Sequence, residues 1–229
     1  PASDTGYAAG SYKDIYGYSW SLFLRTVDGG ITWTEQGQSS NEVFVNSISM
    51  ENSNKGIAVG NTGYGKIFMW NGIHWLDCYN VFDHPLSSVC NIGPGSYIVS
   101  AYNGMILKTV DGGYNLNSQI IANDDLKSLT FVNENIGYVL GDDRLFKTTD
   151  GGETWNSQPI PDDYEEHICF INENSGFITA DYNIYQTDDG GLNWEGVIKN
   201  KVNGVSSVFF TDTLNGYTAG EGVFKTNDG

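Results

Sequence analysis

The stretch "TTDGGETW" at 148–155 sets a carboxylate beside two glycines, with a Trp close behind. Such a stretch has two chemical readings, an oxygen ligand in a metal- or phosphate-binding loop and an aromatic platform for a sugar ring. The sequence holds other groups that suit a hard cation: "ANDDLK" (122–127), "GDDR" (141–144) and "PDDYEEH" (161–167). A hard cation needs several oxygens at once, and none of these clusters matches a twelve-residue calcium loop with its Gly and terminal Glu. They read as solvated acidic loops, with calcium as the one cofactor kept open and no metal site assigned. His74, His84 and His167 show no metal spacing. Cys78, Cys90 and Cys169 are an odd number at irregular intervals and contain no CxxC, so they read as buried free thiols. No Ser/His/Asp or Cys/His arrangement is visible, and no Gly-rich phosphate loop follows a strand and opens a helix.

The elements that carry these residues change the question. "TVDGGITW" occurs at 26–33, "TVDGGYNL" at 109–116, "TDDGGLNW" at 187–194 and "TNDG" at 226–229. Asp111, Asp150, Asp189 and Asp228 lie 39 residues apart, and Asp28 precedes Asp111 by 83. The missing member belongs near "MWNGIHW" (69–75), where Trp70 takes the acid's place and Asn71-Gly72 is left to make the turn unaided. A catalytic acid is seldom needed five times in one chain, whereas a turn in a repeating unit is. Self-similarity at about 40 residues marks a repeat architecture.

Within each period the same short runs recur. An apolar alternation such as "LKSLTFV" (126–132) is followed by a Gly-bounded run such as "GYVLG" (137–141) and then by "RLFKT" (144–148). A fourth run begins at the Trp after the DGG turn. Each is rich in Val, Ile, Phe, Tyr and Thr and ends at Gly, Asn or Asp, which is the strand signature. No window supports a long amphipathic helix. Four short strands per period of about 40 residues form a β-propeller blade, here labelled A to D from inside to outside. The expectation is an all-β propeller over 1–229 as one domain, with six repeats visible. The first repeat lacks strand A and the sixth lacks strand D, so the chain is expected to be part of a longer one that has room for a seventh. Asp-Gly between strands C and D is a hairpin signal, because the turn needs positive φ.

Composition narrows the partners. Only 17% of the 229 residues are charged, yet 28 acids face 11 bases and the net charge is −17. Such a field repels phosphate backbones and anionic lipid, so nucleic acid is not expected as a partner. No apolar run approaches the 18 or so residues that span a bilayer, so membrane insertion is not expected either. No signal peptide is visible, and the chain starts "PASDTGYAAG" without Met, as after processing or trimming.

The recurring T-x-D-G-G-x-x-W resembles the Asp-box, or BNR repeat, of propeller proteins, with its S/T-x-D-x-G-x-x-W pattern. In that family the box is a structural turn on the face opposite the ligand site. The resemblance implies turn roles for Asp28, Gly30, Trp33, Asp111, Gly113, Asp150, Gly152, Trp155, Asp189, Gly191, Trp194 and Asp228. The whole pattern, "NENSGFITA…YQTDDGGLNW" (172–194), is most similar to the photosystem II stability/assembly-factor-like branch, which also occurs in many secreted bacterial proteins. That implies a secreted, cell-surface or periplasmic/lumenal location. Members of that branch engage partners through basic surface residues, and this acidic chain departs from them.

Two enzymatic readings belong to Asp-box propellers. Sialidases bind a substrate carboxylate with three arginines, and here Arg25 and Arg144 are the only two. Xyloglucanase-type enzymes need a pair of carboxylates flanking a cleft formed by two large propellers, and this chain holds less than one. A non-catalytic module that binds a protein partner is therefore expected, with a carbohydrate-binding module or glycoside hydrolase as the alternative. Function should lie on the face away from the boxes, where loops differ between repeats. There the B–C loop "SYKDIYGYSW" (11–20) is long and aromatic, against two to five residues elsewhere. Tyr12, Tyr16, Tyr18 and Trp20 are the candidate binding residues for a protein or a sugar ring. The alternative is that these rings fold over the propeller edge and are buried.

Overall fold

The β-branched and aromatic runs bounded by glycine form strands throughout the computed structural model, which describes residues 4–39, 43–161, 165–180, 183–199, 205–212, 214–220 and 222–227. Blade 1 comprises β1 (Gly6–Lys13), β2 (Ser19–Thr26) and β3 (Thr34–Ser39). Blade 2 comprises β4 (Phe44–Asn52), β5 (Lys55–Asn61), β6 (Gly65–Trp70) and β7 (Trp75–Phe82). Blade 3 holds β8 (Leu86–Gly93), β9 (Ser96–Ala101), β10 (Met105–Thr109) and β11 (Asn117–Ile120). Blade 4 holds β12 (Ser128–Phe131), β13 (Gly137–Leu140), β14 (Arg144–Thr148) and β15 (Asn156–Pro159). Blade 5 holds β16 (Glu165–Phe170), β17 (Gly176–Ala180), β18 (Asn183–Thr187) and β19 (Glu195–Lys199). Blade 6 holds β20 (Ser207–Phe210), β21 (Gly216–Ala219) and β22 (Val223–Thr226).

Every sheet is an antiparallel meander of sequential strands, and the fold is an all-β propeller of six blades. Among the described residues blades 2 to 5 have four strands and blades 1 and 6 three. No helix of the described residues is long and apolar enough to cross a membrane. The chain divides into two compact parts of three blades each, Pro1–Ile120 and Ile121–Gly229.

The cores lie between blades. Ile57, Val59 and Ile67 of blade 2 pack against Leu86, Val89, Tyr97 and Leu107 of blade 3. Tyr138, Leu140 and Leu145 of blade 4 pack against Ile168, Phe170 and Ile178 of blade 5 in the same way. This is why strand B reads as a continuous apolar run rather than an alternation: both of its faces are covered, and β13 and β17 are buried along their whole length.

The innermost strands are tied to one another by serines. Val89 N and Asn91 N of β8 donate to Ser47 Oγ and Ser49 Oγ of β4, and Ile168 N of β16 donates to Ser128 Oγ of β12. The unpaired inner edge of each such sheet thus finds hydroxyl acceptors on the preceding blade, where an open strand edge is otherwise an association hazard.

A second recurrent device joins strands A and B. Phe131, Phe170 and Phe210 stand opposite Gly137, Gly176 and Gly216 in the ladder. A Cβ on Gly137 would lie 2.5 Å from the Phe131 ring, so only glycine lets the ring lie flat across the neighbouring strand. Two of these Phe rings then stack on an aromatic ring of the preceding blade: Tyr138 on Phe170 at 3.5 Å between centroids, and Phe177 on Phe210 at 3.7 Å.

Candidate functional site

Each box turn is built on the Thr that ends strand C. Thr148 Oγ1 donates to Asp150 Oδ1 at 2.8 Å and accepts from Gly152 N at 2.9 Å. Asp150 Oδ1 also accepts from Thr154 N at 2.9 Å, while Oδ2 accepts from Thr154 Oγ1 at 2.6 Å. The same arrangement recurs at Thr26–Asp28–Gly30–Thr32, Thr109–Asp111–Gly113–Asn115 and Thr187–Asp189–Gly191–Asn193. Both glycines of every DGG carry positive φ, 70° and 83° at Gly151 and Gly152. The first glycine N donates to the A–B loop of its own blade, Gly151 to Asn135 O and Gly190 to Asn174 O. Box turns and A–B loops therefore share one face of each blade. Asp228 lies outside the described residues.

These carboxylates are strongly acidic because their charge is already solvated by the turn. Asp150 is held at about 2, against 3.8 normally, by the Thr154 hydroxyl, the Thr154 amide and the Thr148 hydroxyl, with desolvation opposing them. Asp28, Asp111 and Asp189 sit at about 2 as well, led by the Thr26 hydroxyl, the Asn115 amide and the Asn193 side chain respectively.

The tryptophans behave unequally. Trp33 Nε1 donates to Gly30 O and Trp155 Nε1 to Gly152 O, at 3.1 and 3.2 Å. Trp155 and Trp194 dock edge-on against Phe131 and Phe170 of their own blades. Trp194 Nε1 is buried with no hydrogen-bond partner.

Blade 2 corrects two expectations. Trp70 stands opposite Gly56, the place that Thr148 and Thr187 hold opposite Gly137 and Gly176, so it replaces the threonine and not the acid. Nor is the turn unaided: Asn71 Oδ1 accepts from Ile73 N and His74 N at 2.9 and 2.8 Å. Trp70 pairs directly with Trp75, so the loop is only Asn71 to His74, and one amide oxygen suffices to cap it.

The aromatic stretch at 11–20 is also not a ten-residue loop. Strands β1 and β2 continue to the Tyr12↔Trp20 and Lys13↔Ser19 pairs, leaving a tip of Asp14 to Tyr18. Alternating hydroxyl, aromatic and charged residues can extend a hairpin as well as leave it, and ladder pairing decides for the former. Asp14 organises the tip: Oδ1 accepts from Tyr16 N and Tyr18 N at 2.9 Å each, and Oδ2 accepts from Trp20 Nε1 at 3.1 Å. Of the four candidate rings Trp20 is half-buried, and the three tyrosines are not folded away. Ile15 is 91% exposed, Tyr16 78%, Tyr18 59% and Tyr12 38%. Tyr64 and Tyr102, in the corresponding hairpins of blades 2 and 3, are exposed too.

The remaining candidates are dispersed. Asp124 Oδ2 accepts from Asp142 N, Asp142 pairs with Lys127, and Asp143 pairs with Arg144, so two of the acidic clusters meet at blade 4. Residues 162–164 of the third cluster lie outside the described residues. Arg25 lies over the Tyr7 ring. Among the described residues no three His, Cys, Asp or Glu side chains gather around one point suited to a metal ion. Cys169 is buried, but Cys78 and Cys90 are half-buried, since strand positions near a blade surface do not seal a thiol. Burial lowers the His167 pKa, and its Nδ1 has no partner.

Sequence reasoning missed the Phe-over-Gly pair, whose signal was present in "FVNENIG" (131–137), "FINENSG" (170–176) and "FTDTLNG" (210–216). It also missed Asp14, which no spacing rule singled out.

The family model described as photosynthesis system II assembly factor YCF48 matches residues 92–223. Among solved structures, "YCF48 bound to D1 peptide" is similar with a TM-score of 0.73 at 18% identity, over 97% of this chain and 82% of that one. YCF48 from Cyanidioschyzon merolae gives 0.57 at 13% identity, over 98% of both chains. The C-terminal WD40 domain of Sif2 gives 0.64 at 10%, over 94% of this chain and 63% of that one. At such identities the likeness is one of fold. No curated protein sequence matches the chain.

Proposed function

The chain belongs to the photosynthesis system II assembly factor YCF48 family, and on that premise we propose that it is a non-catalytic propeller acting as a protein-interaction or assembly module. The observation that carries the reading is the rigid aromatic tip at 14–18. Exposed Tyr rings on a hairpin tip that Asp14 ties together with three hydrogen bonds lose less entropy on docking than rings on a free loop, and aromatic anchors of this kind dominate binding energy at protein interfaces. A YCF48 structure carrying a bound peptide supports a protein partner for this fold. The net charge of −17 favours a basic partner. A secreted, cell-surface or periplasmic/lumenal location is part of the proposal, resting on the family resemblance, and no cofactor is required.

The test is affinity capture with cross-linking, comparing the native protein with Tyr16→Ala/Tyr18→Ala. Loss of a reproducible protein partner in the double variant, with melting temperature unchanged, supports the reading. Equal capture by both overturns it. The same exposed tyrosines favour a second reading, stacking on sugar rings. A glycan array and a polysaccharide hydrolysis screen separate the two. Turnover abolished by a single Asp→Asn change away from the boxes would establish an enzyme instead. For calcium, a rise in melting temperature on titration that Asp150→Ala removes would make the box a metal site.

A further inference from the structure

We propose that the junction of blades 2 and 3 carries, on the face of the box turns, a socket for a lysine or arginine side chain of a protein partner. Two other junctions show what that place holds when the chain fills it itself. In blade 4, Tyr138 pairs with Lys147 across the ladder, and the Lys147 ammonium lies 5.1 Å from the centre of the Tyr138 ring. Both side chains reach blade 5, where Glu173 O accepts from Tyr138 OH at 2.7 Å and from Lys147 Nζ at 3.4 Å. Tyr7 and Arg25 repeat the pair in blade 1, with Tyr7 OH donating to Ser53 O of blade 2.

Blade 2 lacks both groups. Ile57 and Met69 stand where Tyr138 and Lys147 stand, one step beyond the pairs Gly56↔Trp70 and Gly137↔Thr148. Pro94 holds the place of Glu173, because Gly112 N donates to Gly95 O as Gly190 N donates to Asn174 O. The glycines record the difference directly. A Cβ on Gly190 would lie 2.7 Å from Lys147 Nζ, whereas one on Gly112 would meet nothing within 4 Å. The cation's place is open at this junction.

A cavity of 510 Å³ lies there, a size within the range of ligand pockets. Its walls include Met69, Trp70 and Leu76, which suit the methylene stem of a long basic side chain. Among the described residues two acids, Glu51 and Asp111, and one base, Lys55, line it. Glu51 Oε2 accepts from Gly95 N at 2.8 Å, which fixes the carboxylate between β4 and the A–B loop of blade 3. Asp111 is held at about 2, led by the Asn115 amide, and is charged at neutral pH. Lys55 is exposed at the rim. The balance of charge favours a cation over an anion.

The inference rests on the reading of a protein-binding propeller but uses another surface than the aromatic tip of blade 1, so either can fail alone. The probe is a capped pentapeptide, Ser-Ala-Lys-Ala-Ser, with norleucine in place of lysine as the uncharged control. Binding is read from the backbone amide shifts of Gly95 and Gly112 in an NMR titration of the whole chain. The lysine peptide is expected to move both amides saturably, and the norleucine peptide to move neither. Glu51→Gln should weaken binding about threefold, the scale of one partly exposed ion pair, and Lys55→Glu should strengthen it by a similar factor. Met69→Lys supplies the socket with the chain's own cation, as Lys147 does beside Gly190, and should abolish the response to the peptide with melting temperature retained. Tyr16→Ala/Tyr18→Ala should leave the titration unchanged. Absence of a saturable shift, or equal shifts with the norleucine peptide, overturns the proposal. So does one affinity shared by the native chain, Glu51→Gln and Lys55→Glu, which would mean diffuse attraction to an acidic surface.

Discussion

At the scale of single residues the box is a hydroxyl and a carboxylate sharing one turn, and the hydroxyl is the more buried of the two. Thr187 is 2% exposed and its Oγ1 is the acceptor for the buried Gly191 N at 3.0 Å. Thr187→Val keeps the shape and removes that acceptor, which should cost about 1–3 kcal/mol in chemical denaturation. The acids report differently, through pH. Four of them lie near 2 in the folded chain against 3.8 in the unfolded one. A carboxylate more acidic when folded stabilises above its unfolded pKa and loses that contribution as pH falls through its folded value. Melting temperature should therefore drop between about pH 4 and 2, and less steeply in Asp150→Asn. A flat profile across that window would contradict the hydrogen-bonding scheme. Carboxylate spacing made the boxes legible in the sequence. The threonine, though part of the recurring pattern, was assigned no role because that role depends on burial, which spacing does not encode.

At the scale of elements, the glycine that opens strand B and the Trp that follows the box act on the same Phe ring. Gly137→Ala drives a methyl into Phe131 and should cost about 1–3 kcal/mol, the usual penalty for overpacking. Trp155→Ala removes a half-buried ring and should cost about 2 kcal/mol, below the 3–5 typical of a fully buried one. Trp33, 44% exposed, should cost less than Trp155 in the same equilibrium denaturation experiment. Strand order and the C–D turns were readable from period and composition because each is a local property. The extent of the β1–β2 hairpin was not. Whether Tyr12 and Trp20 join a ladder depends on their facing each other across it, and single-strand pattern says nothing of partners. Asn71 was misjudged for a related reason: a loop shortened from the eight residues between Lys147 and Asn156 to the four between Trp70 and Trp75 needs a different cap, and loop length follows from pairing.

At the scale of the molecule, charge opposes compaction. With 28 acids against 11 bases, raising ionic strength from about 10 to 150 mM should raise the melting temperature at pH 7, because screening relieves the self-repulsion. A fall with added salt would point instead to the Lys66–Asp77 and Lys127–Asp142 pairs as the dominant electrostatics.

The hydroxyls that link innermost strands, and the tyrosines that reach across blades, have a consequence for descent as well as for stability. Tyr7 OH donates to Ser53 O of the next blade, and Tyr138 OH donates to Glu173 O of the blade after its own. The receiving atoms are main-chain carbonyls, and the serine hydroxyls likewise serve main-chain amides, so neither contact asks for a particular side chain on the other side. A gene that gains or loses 39 codons in register by unequal crossing-over delivers a blade whose neighbours already offer those atoms. Copy number can drift in such a chain while the junctions stay satisfied, and the side chains at the blade tips are left free to diverge.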